Sequence, residues 1–326
     1  MADSAQWRPA SGPDTARLRA ELLDRARLYF DENDVLAVDT PALSTFAISD
    51  PNIESITVMS GLGQNSHNFL HTSPEYCMKR LLCAGYPDIY QMCKVFRDNE
   101  VGQFHQPEFT MIEWYRLNFS LDQIIDDALG FLGKVFDKDH LNLSATKLTY
   151  RDALQKYADC DPLNASVESL SAMVNADESL ILSIGDNKDM WLDLILSQLV
   201  VPCFDTDELT VVSHYPISQA ALARRCPKND ELADRFEIFL GTHELANGYV
   251  ELTNAAEQRQ RFNHDQTVRQ SRDLPVRPLD ESLLAAMQHG LPACAGVAIG
   301  FDRLLMIAAG KNDIRQVQTF AYQEPQ

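Results

Sequence analysis

Three groups of residues in this chain have the types and spacing to do chemistry. The first runs from Arg97 to Tyr115. Arg97 closes one apolar run, His105 sits in a polar connection, and Glu108, Phe109, Glu113 and Tyr115 follow in a second run. Alternate residues of a strand share a face, so positions 109, 111, 113 and 115 gather an aromatic ring, an acid and a phenol in one row. A guanidinium beside that row can neutralise a phosphate with two parallel donors, and a phenylalanine can stack on a base. On spacing alone, a solvated hairpin with scattered ion pairs is the favoured reading.

The second group is Glu244-Leu245-Ala246-Asn247-Gly248-Tyr249-Val250-Glu251. A regular strand sends the two acids to opposite faces, because their separation is odd. Asn247-Gly248 repairs this either as a two-residue turn, which pairs Glu244 with Glu251, or as a bulge that shifts the phase by one. Gly241-Thr242 competes as the turn, and the bulge then applies. The expectation is two carboxylates about 5 Å apart, repelling by roughly 3 kcal/mol at an effective dielectric of about 20. Such a pair needs a proton, a base or a metal, and hard oxygen ligands suit Mg²⁺. An exposed, water-screened acidic pair is the plain alternative.

The third group is a glycine-punctuated run from Cys294 ending in Asp302-Arg303. Gly296 and Gly300 allow a close approach to the backbone, or simply tight packing. No G-x-x-x-x-G-K-[ST] and no G-x-G-x-x-G occurs, so any bound phosphates must be held by side chains. Cys77 and Cys83 lie near His67 and His71, but no C-x-x-C pair exists, and buried reduced thiols are favoured over a metal site.

The elements that must position these groups read as follows. Residues 14 to 33 form an amphipathic helix, with Leu18, Leu22, Leu23, Ala26 and Phe30 on one side. Extended pieces follow at 35–38 and 53–59, and Gly61-Leu62-Gly63 supplies a turn before 68–71. Thr72 or Ser73 caps a helix that has Pro74 in its first turn and Gly85 after its end. Strands at 89–97 and 108–117 flank a polar loop. Ser120 and Gln123 make a capping box for a helix through Phe136. Residues 138–208 read as an insertion of short helices packed beside the core. Then come a strand at 209–215, a helix from Ser218, strands within 236–252, a helix from Ala255 to Arg272, and a helix capped by Asp280. Strands arrive mainly in adjacent pairs, which predicts an α+β fold with an antiparallel sheet flanked by helices.

Composition narrows the function. Hydrophobic residues make up 45% and charged residues 23% of 326, as in ordinary globular proteins. No apolar run reaches the roughly 18 residues of a membrane span, and the N-terminus lacks a signal-peptide pattern, so the expected compartment is the cytoplasm. A net charge of -19 disfavours a dedicated nucleic-acid binder and favours a cationic partner or substrate.

In this order the three groups resemble the catalytic core of class II aminoacyl-tRNA synthetases, in the lysine branch, over roughly residues 14 to 320. Pro41 resembles motif 1, VFRDNEVGQFHQPEFTMIEWY motif 2 and GVAIGFDR motif 3, and HELANGYVELTNAAEQRQRF is similar to the metal-binding stretch of lysyl enzymes. Three departures are informative. Only about a dozen residues precede the first helix, leaving no room for an anticodon-binding domain; Ala298 stands where lysyl enzymes have glycine; and the charge is strongly acidic. These match the truncated lysyl-tRNA synthetase paralogues that modify elongation factor P.

The resemblance implies one catalytic domain over residues 14–326, after a tail at 1–13. It implies an ATP- and Mg²⁺-dependent ligase that activates (R)-β-lysine as an adenylate and passes it to a lysine ε-amino group of elongation factor P. It also implies a homodimer through the motif 1 region, with no stable tRNA binding and no membrane association. By position, Arg97 and Arg303 are its catalytic residues. Asn99, His105, Gln106, Phe109, Glu244, Leu245 and Gly300 join them around ATP, with Phe109 and Arg303 on either side of the adenine. Glu244 and Glu251 hold the metal. Ser73, Pro74, Glu75, Glu113, Tyr115, Glu251, Glu257 and Ala298 form the amino-acid pocket. Motif 2 normally reads Phe-Arg-x-Glu, so either Asn99 replaces the acid or Glu100 serves one place later. The rival readings are a truncated enzyme activating α-lysine, a non-catalytic ligand-binding paralogue, and a ligase making a small-molecule amide.

Overall fold

A computed structural model describes residues 7–59, 67–136 and 144–322 of the chain. The Gly61–Gly63 turn and the start of the 138–208 segment lie outside the described residues. The helices are α1 (Pro13–Glu32), α2 (Glu75–Cys83), α3 (Leu121–Phe136), α4 (Tyr150–Ala158), α5 (Val167–Met173), α6 (Glu178–Ile184), α7 (Lys188–Ile195), α8 (Ala255–Ser271), α9 (Glu281–Gly290) and α10 (Phe301–Ala308). The strands are β1 (Leu36–Ala37), β2 (Leu43–Ser44), β3 (Thr57–Met59), β4 (His67–Leu70), β5 (Ile89–Phe96), β6 (Glu108–Leu117), β7 (Ala145–Thr149), β8 (Leu209–Pro216), β9 (Leu232–Leu240), β10 (His243–Val250) and β11 (Cys294–Gly300).

Eight strands form one sheet in the order β1-β5-β6-β11-β10-β9-β8-β7, and β2-β4-β3 form a small second sheet. The inner neighbours are antiparallel, but the outermost pairs, β1 with β5 and β7 with β8, are parallel. The sheet is therefore mixed and not purely antiparallel as expected. A parallel pair needs a long crossover. Between β7 and β8 that crossover is the run of helices α4 to α7, which closes its own apolar cluster around Trp191, Ile195 and Tyr150.

The sheet's pleat separates packing from chemistry. Along β6, Ile112 and Trp114 enter a core built with α1, α3 and α10, while Glu113 and Tyr115 face the other way. The core is aromatic at its centre: Phe30 stacks on Tyr90 at 4.0 Å, and Trp114 lies 5.0 Å from Phe131. Trp114 satisfies its indole N–H on Asp127 at 2.8 Å. Burying such side chains is worth about 1.5–3 kcal/mol each, enough to fix which face of the sheet points inward.

Local signals are obeyed where a side chain completes them. Ser120 and Gln123 exchange both capping-box bonds, and Asp280 caps α9 by accepting from Leu283 N. Ser73 Oγ accepts from Glu75 N beneath Pro74. The helix expected from Ser218 is only a 3₁₀ turn, Ile217–Gln219, because the chain bends at once to bridge Ala223 to Glu251.

Candidate active site

The polar face of the sheet floors a cavity of about 1410 Å³, walled by α2, α7, α8 and the 97–106 loop. One end collects cations. Arg97, just past β5, lies 5.2 Å from the Phe109 ring and 3.6 Å from Glu100. Arg303, in the first turn of α10, donates to the Glu244 carbonyl and reaches His105 Nε2 at 3.2 Å. Burial, reinforced by Arg303, holds the His105 imidazole below its usual pKa, so it stays neutral and can accept from that guanidinium. Asp302 ties this corner down: its carboxylate accepts from Thr110 N at 2.8 Å and pairs with Arg19 of α1. Gln106, Leu245 and Gly300 complete the lining. Arg97 Nε is buried without a hydrogen-bond partner, as is Asn247 Oδ1 on the floor. Buried polar atoms ordinarily have partners, so both suit a bound ligand.

The motif 2 ambiguity has a geometric answer. Asn99 sits at the tip of the turn with φ 64, exposed and away from the cavity wall, whereas Glu100 lines it and pairs with Arg97. The left-handed turn that Asn99 accommodates carries the acid one residue further along. Pro74 likewise lies buried at the start of α2 and not on the wall.

The other end is a buried nest of acids. Glu75, Glu113 and Glu251 are 7%, 3% and 2% exposed. A single ammonium, Lys79, stands 2.5 Å from Glu75 and 2.5 Å from Glu251. Tyr249 donates to Glu75 at 2.9 Å, and Tyr115 donates to Glu113 at 2.7 Å. Burial, then Glu75, pushes Glu113 up to about 8. Burial also lifts Glu251 to about 8, against the pull of Lys79. Burial lowers the Lys79 ammonium, but Glu251 and Glu75 outweigh it and hold it protonated. Three carboxylates against one ammonium leave room for added positive charge. Gly296 makes the nest possible: a Cβ there would lie 2.5 Å from the Tyr115 ring and 2.7 Å from Glu251. Ser73 and Ala298 also line this end, and Glu257 joins them from α8 while pairing with Arg261 at 2.7 Å.

The metal pair expected of Glu244 and Glu251 does not form. The β9–β10 turn is at Gly241–Thr242, and the bulge falls at Leu245 and not at Asn247-Gly248. Gly248 serves packing instead, since a Cβ there would lie 2.7 Å from the Phe236 ring. The bulge does bring both acids to one face, but the strand runs straight between them. At about 3.3 Å per residue they are about 20 Å apart, so one ion cannot bridge them. Glu251 is matched by Lys79. Nearer Glu244, Glu237 is pushed up to about 7 by burial, against Arg235 and with Glu244 adding to the rise. Both its oxygens are taken, by Tyr215 and Arg235.

Lys79, Tyr249, Asn247, Arg235, Glu237 and Tyr215 were not singled out from the sequence. Glu75 and Lys79 are four apart on a helix, a spacing that signals a pair, but burial of that pair has no sequence signature. Among the described residues no metal-ligand cluster forms at Cys77 and Cys83, whose thiols burial pushes up.

Residues 5–324 match the family of class II tRNA synthetases (D, K and N). The chain is 39% identical over 325 residues to the elongation factor P–(R)-β-lysine ligase of Photorhabdus laumondii, covering 98% of this chain and 99% of that one. It is 38% identical to the ligase of the same name from Edwardsiella ictaluri, again with 98% and 99% covered, and to that of Klebsiella pneumoniae, with 98% of each covered. No described helix is long and apolar enough to cross a membrane. The chain therefore belongs to the class II tRNA synthetase family of the D, K and N type and, within it, to the family these ligases form.

Proposed function

We propose that this protein activates (R)-β-lysine with ATP and transfers it to the ε-amino group of a lysine on elongation factor P. One observation carries this reading: a single cavity holds a cationic end, with Arg97, Arg303 and neutral His105, and an acidic end, with Glu75, Glu113 and Glu251 around Lys79. A diamino acid is the complement of the acidic end, and its carboxylate then points toward the cations, where a triphosphate fits.

The chemistry divides accordingly. The β-lysine carboxylate attacks the α-phosphorus of ATP, forming the acyl-adenylate and releasing pyrophosphate. Arg97 and Arg303 hold the phosphate charge that develops, while Phe109 offers its ring to the base. The target amine then attacks the acyl carbon, forming the amide, losing a proton and expelling AMP. The acidic nest supplies orientation, which raises the effective concentration of the reacting groups. Magnesium enters as part of the nucleotide substrate; no protein-held ion bridges Glu244 and Glu251.

The same reading makes residues 14–326 one catalytic domain, with the segment at about 138–208 as its insertion. Exposed Leu36 and Leu43, on either side of Pro41, support a homodimer through this region. The net charge of -19 supports the absence of stable tRNA binding, and a translation factor as substrate puts the reaction in the cytoplasm.

The test is pyrophosphate–ATP exchange with (R)-β-lysine against α-lysine, combined with intact mass of elongation factor P. Preference for β-lysine with a mass gain on the factor is expected. Equal or reversed preference, or an unmodified factor, overturns the assignment.

A further inference from the structure

We propose that His214, Cys226 and Asp234 form a site for a zinc-class divalent cation, separate from the catalytic cavity. One ligand atom from each lies within 4.8 Å of the other two, the only such group among the described residues. Cys226 and Asp234 are 7% and 4% exposed, while His214 is half-buried and leaves a way in for the ion.

The end of β8, the loop after it and the start of β9 are brought together to do this. His214 occupies the bulge in β8 between Ser213 and Tyr215, with φ 58. A non-glycine residue there is strained, and such strain persists only where the surroundings impose it. Cys226 is fixed by its N–H donating to Leu232 O at 2.8 Å, and Asp234 by its N–H donating to Arg224 O at 3.0 Å. Both side-chain partners are also oriented. Arg224 Nε donates to Asp234 Oδ2 at 2.7 Å, leaving Oδ1 without that bond, and Ser213 Oγ lies 3.1 Å from His214 Nδ1. Groups that orient ligands in this way raise metal affinity.

The donor set selects the ion. A thiolate, an imidazole and a carboxylate suit zinc in a tetrahedral site with water in the fourth position, and suit magnesium poorly. On binding, the Cys226 thiol gives its proton to solvent, and zinc exchanges three of its waters for sulfur, nitrogen and oxygen. Asp234 precedes Arg235 on β9, and His214 precedes Tyr215 on β8. The ion would therefore pin the two strands behind the cavity residues Arg235 and Tyr215, as a structural and not a catalytic element.

The experiment titrates the metal-free full chain with Co²⁺ and Zn²⁺. One tight Co²⁺ site with a thiolate charge-transfer band is expected, displaced by Zn²⁺. Cys226→Ser should abolish the band, and Asp234→Asn should weaken binding at least about tenfold. Both variants should keep the wild-type circular dichroism spectrum, which separates lost ligation from lost folding. Absence of a thiolate band in the wild type, or equal affinity in the Cys226→Ser protein, overturns the proposal. A site lost only on changing cavity carboxylates such as Glu244 does so as well.

Discussion

Lys79 and Glu251 face each other at 2.5 Å with both side chains almost wholly sealed from solvent. Glu75 stands at the same distance from the ammonium, so the two carboxylates lie within about 5 Å of each other. At an effective dielectric of about 20 they repel by roughly 3 kcal/mol, while each attraction to Lys79 is about twice that. Attraction to Lys79 outweighs that repulsion and holds the two acids together, although burial still leaves Glu251 raised to about 8.

Replacing that lysine is the sharpest test of the acidic end. Lys79→Met should raise KM for (R)-β-lysine at least tenfold, because Glu75 and Glu251 then lose the ammonium that holds them side by side and no longer present an ordered grip. KM for ATP should change little. Steady-state exchange assays with each substrate varied check this split.

The cationic end should govern the chemical step. Arg97→Ala and Arg303→Ala are each expected to lower kcat for exchange by about 10²–10³, the usual loss when one preorganised donor to a developing charge is removed. Arg303 should also affect nucleotide affinity, since it holds the Glu244 backbone and His105.

Glu244 and Glu251 should behave as independent residues. Glu244→Gln should act on the nucleotide KM and Glu251→Gln on the amino-acid KM, with effects that add within about 0.5 kcal/mol in the double variant. A coupling of 1 kcal/mol or more would restore the shared metal that their separation rules out.

The pH dependence follows from Glu113 and Glu251, both raised from 4.5 to about 8. Between those values the folded protein binds more protons than the unfolded chain, so stability is greatest at the acid end and falls as pH rises to about 8. The melting temperature of the ligand-free protein should decline through that window and decline less in Glu113→Gln. A diammonium ligand prefers the ionised acids, so KM for β-lysine should fall as pH approaches 8. Calorimetry and exchange assays across pH check the two trends.

Ala298 sits between Glu113 and Asn247 in the sheet register and places a methyl on the cavity lining. Ala298→Gly should shift preference from β-lysine toward α-lysine by about 10–200-fold, the range one small group is worth in a pocket. Competition between the two amino acids reads it directly.

Much of this architecture is written in local pattern. The hairpin of β5 and β6 follows from two apolar runs and a polar loop, and the row at 109, 111, 113 and 115 follows from the pleat. The Ser120–Gln123 capping box, the Asp280 cap and the Gly-rich β11 are legible for the same reason: each is decided by neighbours in sequence. What escaped reading depends on distant partners. The bulge lies at Leu245, while Gly248 packs against Phe236 of the neighbouring strand, a contact that adjacent residues do not announce. The parallel edges depend on which strands the crossovers place side by side. Lys79 is an ordinary helix residue until α2 packs against β10, where it becomes the counter-charge of the nest.

The alternation of Trp114 and Glu113 along β6 also sets what the gene can tolerate. Losing or gaining one codon within 108–117 would turn the indole toward the substrate and drive the acid into the aromatic core. The adjoining 98–107 loop carries no such parity at its exposed tip. Natural length variation in this hairpin should therefore collect at the tip and be absent from the strand.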